Sequence, residues 1–380
     1  MPDSVVKLSP AQFRQHFPAL DAAPHFASCS QGALSDHLAH TMQQLTASLM
    51  KEQAPWGTWM DKVEEYRARS AFYFGAEADQ IAVLNCASEA AFQVVTSLDW
   101  AGERNQLVTS DLEFPSIGNV WRAQAQAIEV VNVRGLSEAL FAENWIPLIT
   151  ERTKLVSVPW VSYVNGTRPD VETIIAHAHS VGARVIVDAY QGAGVVPLDV
   201  AQIDCDFMMT GNLKYMLGLP GIASLYVHDP RSTEIPAILT GWFGRVNPFA
   251  FNADRIDFPD NARRFEVGAH AIPSAYAGVA GLDMLDRVNP HEIWNHVIEL
   301  RETLAEELTG LGYSLDQPSD PSHRGPQVAI ISDDPERLAT ELARSGIGTS
   351  PRGSRLRLSL HGYSSEQDVK TLVAALAGLR

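Results

Sequence analysis

A chain of 380 residues with 29 basic and 45 acidic side chains carries a formal charge of −16 with histidine neutral; it repels phosphate backbones and anionic bilayers, so neither nucleic acid nor a membrane surface is an expected partner. Its composition, 46% apolar and 19% charged, suits a large buried core and more than one domain, and no stretch approaches the ~18 apolar residues of a membrane span. The three cysteines, Cys29, Cys86 and Cys205, are odd in number, far apart and form no CxxC pair. No disulfide framework or metal site is therefore expected, and, with no signal-like apolar stretch in the opening residues, a cytoplasmic location is expected.

From about residue 80 the sequence alternates short β-branched runs with longer amphipathic ones. The pattern predicts strands over 81–85, 106–110, 128–133, 154–158, 184–188, 207–210 and 222–227, with helices over 88–98, 116–126, 137–149 and 170–181. Strand–helix alternation implies an α/β fold with a mostly parallel sheet between helices. Residues 273–311 read as helical. A strand over 327–331, a helix over 334–345, a strand over 355–359 and a helix over 365–376 then make a small α+β domain. The division expected is an N-terminal segment, 1–24, packing with the small domain; a large domain, 25–264; and a small C-terminal domain, 265–380.

In open α/β sheets ligands gather at the carboxyl ends of strands, and three features fall there. The turn Asn85-Cys86-Ala87-Ser88-Glu89-Ala90 leads from a strand into a helix, where free backbone N–H groups, the helix dipole and the Ser88 hydroxyl suit an anion; an ordinary serine cap fits the same residues. The apolar strand ending at Asp188 delivers a carboxylate, followed three residues later by Gln191. Lys214 follows another apolar strand and precedes a Leu-Pro-Gly turn; a lysine in so apolar a setting is either snorkelling or reactive. Ser88, Asp188 and Lys214 are spaced by 100 and then 26 residues.

In this order the chain resembles the class V aminotransferase family, the cysteine desulfurase-like group of fold-type I pyridoxal phosphate (PLP) enzymes. The likeness runs through FASCSQG at 26–32, ASEA at 87–90, DAYQ at 188–191, the Lys214 segment, RFEVG at 264–268, and RLRLS at 355–359 with Tyr363. It implies that PLP is held on Lys214 as a Schiff base, with Asp188 on the ring nitrogen, Gln191 on the ring hydroxyl, Phe114 against the ring, and Ala87, Ser88 and Glu89 on the phosphate. Thr210 or Asn212 would add a phosphate contact. Arg357 would take the carboxylate of a small amino-acid substrate, Tyr163 or Asn165 would touch the cofactor, and Trp242 would close on the substrate. The family also implies a homodimer with active sites at the interface, where Gly268 and Ala269 approach the partner's phosphate.

The chain departs from the desulfurase pattern at several positions. Phe114 stands where desulfurases place a ring-stacking histidine, Leu213 where they have a second histidine, and Gly211 where they have a serine, and no cysteine follows Cys205. A sulfur relay is therefore not expected. The segments Phe114-Pro115-Ser116, Lys214-Tyr215 and Gly241-Trp242-Phe243-Gly244 resemble kynureninase-like and lyase branches. The expected activity is that of a lyase or hydrolase cleaving at the Cβ side, C–S lyase or kynureninase-like. A class V aminotransferase or epimerase is the alternative, and a non-catalytic PLP-binding regulator a more distant one.

Overall fold

The computed structural model describes residues 7–124, 126–232 and 235–379; the first six residues of the expected N-terminal segment lie outside them. In chain order the regular elements are α1 (Pro10–Arg14), α2 (Asp36–Lys51), α3 (Trp56–Phe74), β1 (Ile81–Leu84), α4 (Ala87–Thr96), β2 (Gln106–Ser110), α5 (Pro115–Ala123), β3 (Glu129–Val133), β4 (Thr153–Pro159), α6 (Val171–Ser180), β5 (Arg184–Asp188), α7 (Val200–Ile203), β6 (Phe207–Gly211) and β7 (Ala223–Val227). They continue with α8 (Ile272–Leu285), α9 (Pro290–Gly310), β8 (Gln327–Ile331), α10 (Pro335–Arg344), β9 (Ser350–Arg352), β10 (Arg355–Ser359) and α11 (Glu366–Ala377).

The seven large-domain strands lie in the order β1-β7-β6-β5-β4-β2-β3. All neighbours are parallel except that β7 runs antiparallel to both β1 and β6, which gives the mostly parallel sheet. Burial on both faces explains why these strands are nearly continuous apolar runs. Along β5, Ile186 faces the core that includes Leu107, Leu155 and Met209, while Val185 and Val187 face the other core. The small sheet is antiparallel, β8-β10-β9.

Two expectations change. The predicted helix over 137–149 is three 3-10 turns, at Glu138–Leu140, Ala142–Asn144 and Ile146–Leu148. Asn144 Nδ2 donates to the Glu138 carbonyl at 2.8 Å and Trp145 Nε1 to the Ala139 carbonyl at 3.0 Å, taking acceptors a helix would use, and Pro147 has no N–H to give. The helical stretch 273–311 divides at Asn289, whose side chain caps α9 ahead of Pro290. Its first part, α8, is buried almost all round and packs on α2 and α3.

The N-terminal segment lies on C-terminal residues. Phe17 packs on Tyr363 with ring centroids 4.7 Å apart. Arg14 makes a two-pronged contact with Asp368 at 2.6 and 3.0 Å and donates to the Tyr363 carbonyl. Phe26 is then exchanged between Gly348 and Ser359 by backbone hydrogen bonds, so the chain runs along the small sheet before entering the large domain.

Candidate active site

A cavity of about 240 Å³ opens at the carboxyl ends of β1, β2, β4, β5 and β6. Its lining includes Ala87, Ser88, Phe114, Tyr163, Asp188, Gln191 and Lys214, so seven of the residues singled out by sequence converge on one space. Strand alternation puts Asp188 on the same face as Ile186, and that face is where α4 and α5 pack.

At one end, α4 begins at Cys86, an extended residue with no side-chain cap. Among the described residues the N–H groups of Ala87, Ser88 and Glu89 have no acceptor; the first intrahelical bond is Ala90 N–H to the Cys86 carbonyl. The Glu89 side chain turns back to accept from the Asn85 amide nitrogens. Uncapped donors at the positive end of a helix dipole suit a phosphate.

At the floor, Asp188 is buried and accepts from the Tyr190 N–H at 2.9 Å. Burial raises its pKa, only partly countered by that hydrogen bond and by Lys214; a cationic partner is what it lacks. Beside it, Gln191 Nε2 donates to the Cys29 carbonyl at 3.1 Å, while its Oε1 is buried with no partner among the described residues. Lys214 Nζ makes no hydrogen bond or ion pair among those residues. It lies 4.2 Å from the ring centroid of Tyr190 and 5.4 Å from that of Phe114. Burial lowers its pKa to about 8; Asp188 raises it, and Arg357 and Arg352 pull it down further. A neutral nucleophilic amine near physiological pH is what carbonyl capture needs.

Tyr163 stands on the cavity wall with its ring edge-on to Phe114, 5.1 Å and 87°. Asn165, the other candidate at this place, closes its own turn by accepting from Thr167 N and Oγ1. Arg357 is buried behind the wall, donating to the Tyr163 carbonyl at 2.6 Å, to Ser350 Oγ at 2.7 Å and to the Ser350 carbonyl at 3.3 Å. With five N–H donors in a guanidinium, one remains on each terminal nitrogen.

Besides Arg357 and Glu89, three predicted residues stay out of the cavity lining: Thr210, Asn212 and Trp242. Thr210 and Asn212 alternate with Met209 and Gly211 along the strand and its continuation, so their side chains lie on the opposite face; Asn212 Oδ1 accepts from Tyr66 Oη at 2.6 Å. Neither side chain lines the cavity. Trp242 lies outside the cavity of its own chain, among Trp56, Phe249 and Phe251, each with its ring centroid 5.6 Å away. Sequence reasoning missed Tyr190, which lines the cavity, and Glu113, a buried carboxyl accepting from Ser157 Oγ and the Phe114 N–H. Burial and then Asp188 raise the Glu113 pKa. Glu113 directly precedes the Phe114-Pro115-Ser116 segment, and Tyr190 lay within a motif already noted.

The sequence profile described as Aminotransferase class-V matches residues 33–372. The chain belongs to the class-V aminotransferase family. Within it, the chain is 30% identical over 368 residues to the uncharacterized aminotransferase YcbU of Bacillus subtilis (strain 168), covering 97% of each. It is 24% identical over 305 residues to the kynureninase of Geobacillus thermodenitrificans (strain NG80-2), covering 76% of this chain and 71% of that one. Among solved structures, a mutant of C-DES with glycine covalently linked to its PLP cofactor superposes with a TM-score of 0.87 at 21% identity, over 96% of this chain and 98% of that one. This class-V chain is a PLP-dependent enzyme, and the Asp188 carboxylate and the uncapped start of α4 fit that cofactor. Among the described residues no helix is long and apolar enough to cross a membrane, and no group of three or more His, Cys, Asp or Glu is placed to hold a metal.

Proposed function

We propose that this enzyme cleaves a small amino acid at its Cβ side, as a lyase or hydrolase. Bound PLP supplies an electron sink for a carbanion at the substrate Cα. Lys214 would hold the cofactor covalently and, as a free amine, would take the Cα proton. Asp188 would keep the ring nitrogen protonated. Arg357 would offer its two remaining N–H groups to the substrate carboxylate.

The observation that carries the reading is Tyr163. Its hydroxyl has no protein partner among the described residues, it lines the cavity, and its own carbonyl is held by Arg357. Amino transfer needs one group to carry a proton between Cα and the cofactor, a task Lys214 can complete alone. Departure of a side chain needs a second acid, and the Tyr163 phenol, which lines the cavity, would supply it. The kynureninase-named relative supports the same class. We further propose a cytoplasmic homodimer joined through the aromatic loop around Trp242, where Phe251 is 73% exposed and Ile256 68%.

The test is a panel of amino acids, including S-substituted cysteines, cystine and kynurenine, incubated with the PLP-loaded enzyme and followed by mass spectrometry. Alanine or pyruvate together with the severed side chain is the expected result. Transfer of the amino group to a 2-oxo acid with the side chain intact would replace this reading by the aminotransferase one.

A further inference from the structure

Gly211 ends β6 beneath the cavity, and the absence of its side chain has a definite use. A Cβ built there would lie 2.5 Å from Cε2, Cζ and Oη of Tyr190. The outer half of the Tyr190 ring therefore occupies the space that any other residue at 211 would fill. Seated this way, the phenol lies at the end of the cavity where α4 begins. Its electrostatic neighbours are Asp188, the Cys86 thiol at the start of that helix and the Leu213 N–H. Burial, then Asp188, push the phenol up to about 12, so at neutral pH it keeps its proton and can donate.

From this juxtaposition we infer that Tyr190, seated over Gly211, is a phosphate-binding residue that adds its hydroxyl to the Ser88 hydroxyl and the free N–H groups of α4. The inference rests on PLP binding in this cavity. It explains two features at once: why a glycine closes β6, and how the anion end gains a second hydroxyl although Thr210 and Asn212 face away. An O–H donor to a phosphate is a charge-assisted hydrogen bond. Its loss is worth roughly a ten- to hundredfold change in affinity.

The test compares PLP with pyridoxal, which lacks the phosphate. Both are bound at equilibrium to cofactor-free wild type, Tyr190→Phe and Gly211→Ala, with affinity read from protein fluorescence. In Y190F, PLP binding should weaken roughly ten- to hundredfold while pyridoxal binding stays at the wild-type value. G211A, which displaces the ring but keeps the hydroxyl, should lose the same phosphate-dependent part. Equal weakening of PLP and pyridoxal would mean a packing role and would overturn the inference, as would a wild-type ratio in either variant. Failure of the underlying reading looks different: borohydride treatment of wild type with PLP would then leave no mass adduct on Lys214.

Discussion

The ion pair between Arg67 and Glu266 gives a test of how the cavity's outer frame is held. Glu266 is fully buried and accepts from Arg67 Nη1 at 2.5 Å and from the Val83 N–H of β1 at 2.9 Å, with His270 Nε2 3.2 Å away. Burial by itself would raise the Glu266 carboxyl. Arg67 and His270 outweigh it and hold the pKa at about 2, against an ordinary 4.5. At about 1.4 kcal/mol per pKa unit that gap corresponds to roughly 3 kcal/mol. Because the folded pKa lies below the unfolded one, this stability is present above pH 4.5 and is lost as the pH falls through about 2. Glu266→Gln leaves the Arg67 guanidinium buried with only the exposed Glu64 and the Ile81 carbonyl, and it should cost about 3 kcal/mol at pH 7, the low end for a broken buried pair. The double variant R67M/E266L, which removes both charges, should recover most of that. Urea unfolding at pH 7, repeated between pH 5 and 3.5, measures both terms. A loss below about 1 kcal/mol in E266Q, or an unchanged pH slope, would refute the reasoning.

The lowered pKa of Lys214 predicts that cofactor-free enzyme takes up PLP at a rate that rises with pH around a midpoint near 8, not near 10.5. Asp188→Asn, which removes a charge that raises this pKa, should move the midpoint down; stopped-flow absorbance reads both. His361 is buried, with Nε2 2.9 Å from the Tyr215 carbonyl and its ring stacked 4.7 Å from that of Tyr363. Burial lowers its pKa to about 4, so the unfolded chain binds the extra proton between pH 6.5 and 4. Stability should therefore fall over that window, by up to roughly 3 kcal/mol. His361→Gln should flatten the fall in urea midpoints.

How much of this was legible beforehand varies with the kind of signal. The strand ending at Asp188 was readable because a strand buried on both faces is apolar at every position, and it stops at its first carboxylate. The turn at Ser88 was readable because small residues mark a strand-to-helix entry. Thr210 and Asn212 misled because a sequence does not say which parity of a fully buried strand faces the ligand; both faces are apolar, and one residue decides. Trp242 misled because its neighbours, Trp56 and Phe251, are separated from it by loop geometry that one chain does not encode locally. Tyr190 was passed over because its meaning depends on Gly211, 21 residues away, and a glycine advertises the space it leaves only once the ring filling that space is seen. The failed helix over 137–149 carried the right periodicity, but Asn144 and Trp145 side chains outcompeted its backbone.

The docking of Arg14 on Asp368 and Tyr363 has a consequence for synthesis. The two ends of this contact are separated by some 350 residues of chain, so during translation the N-terminal segment waits, with Phe13 and Phe17 uncovered, until the last helix has emerged. The large sheet can assemble earlier from strands that follow one another closely. The small sheet, the strand-like stretch around Phe26 and the Gln191–Cys29 contact beside the cavity then come together as a final latch. A fusion placed ahead of residue 7 would act on that last event, and the amount of enzyme able to retain its cofactor would report it.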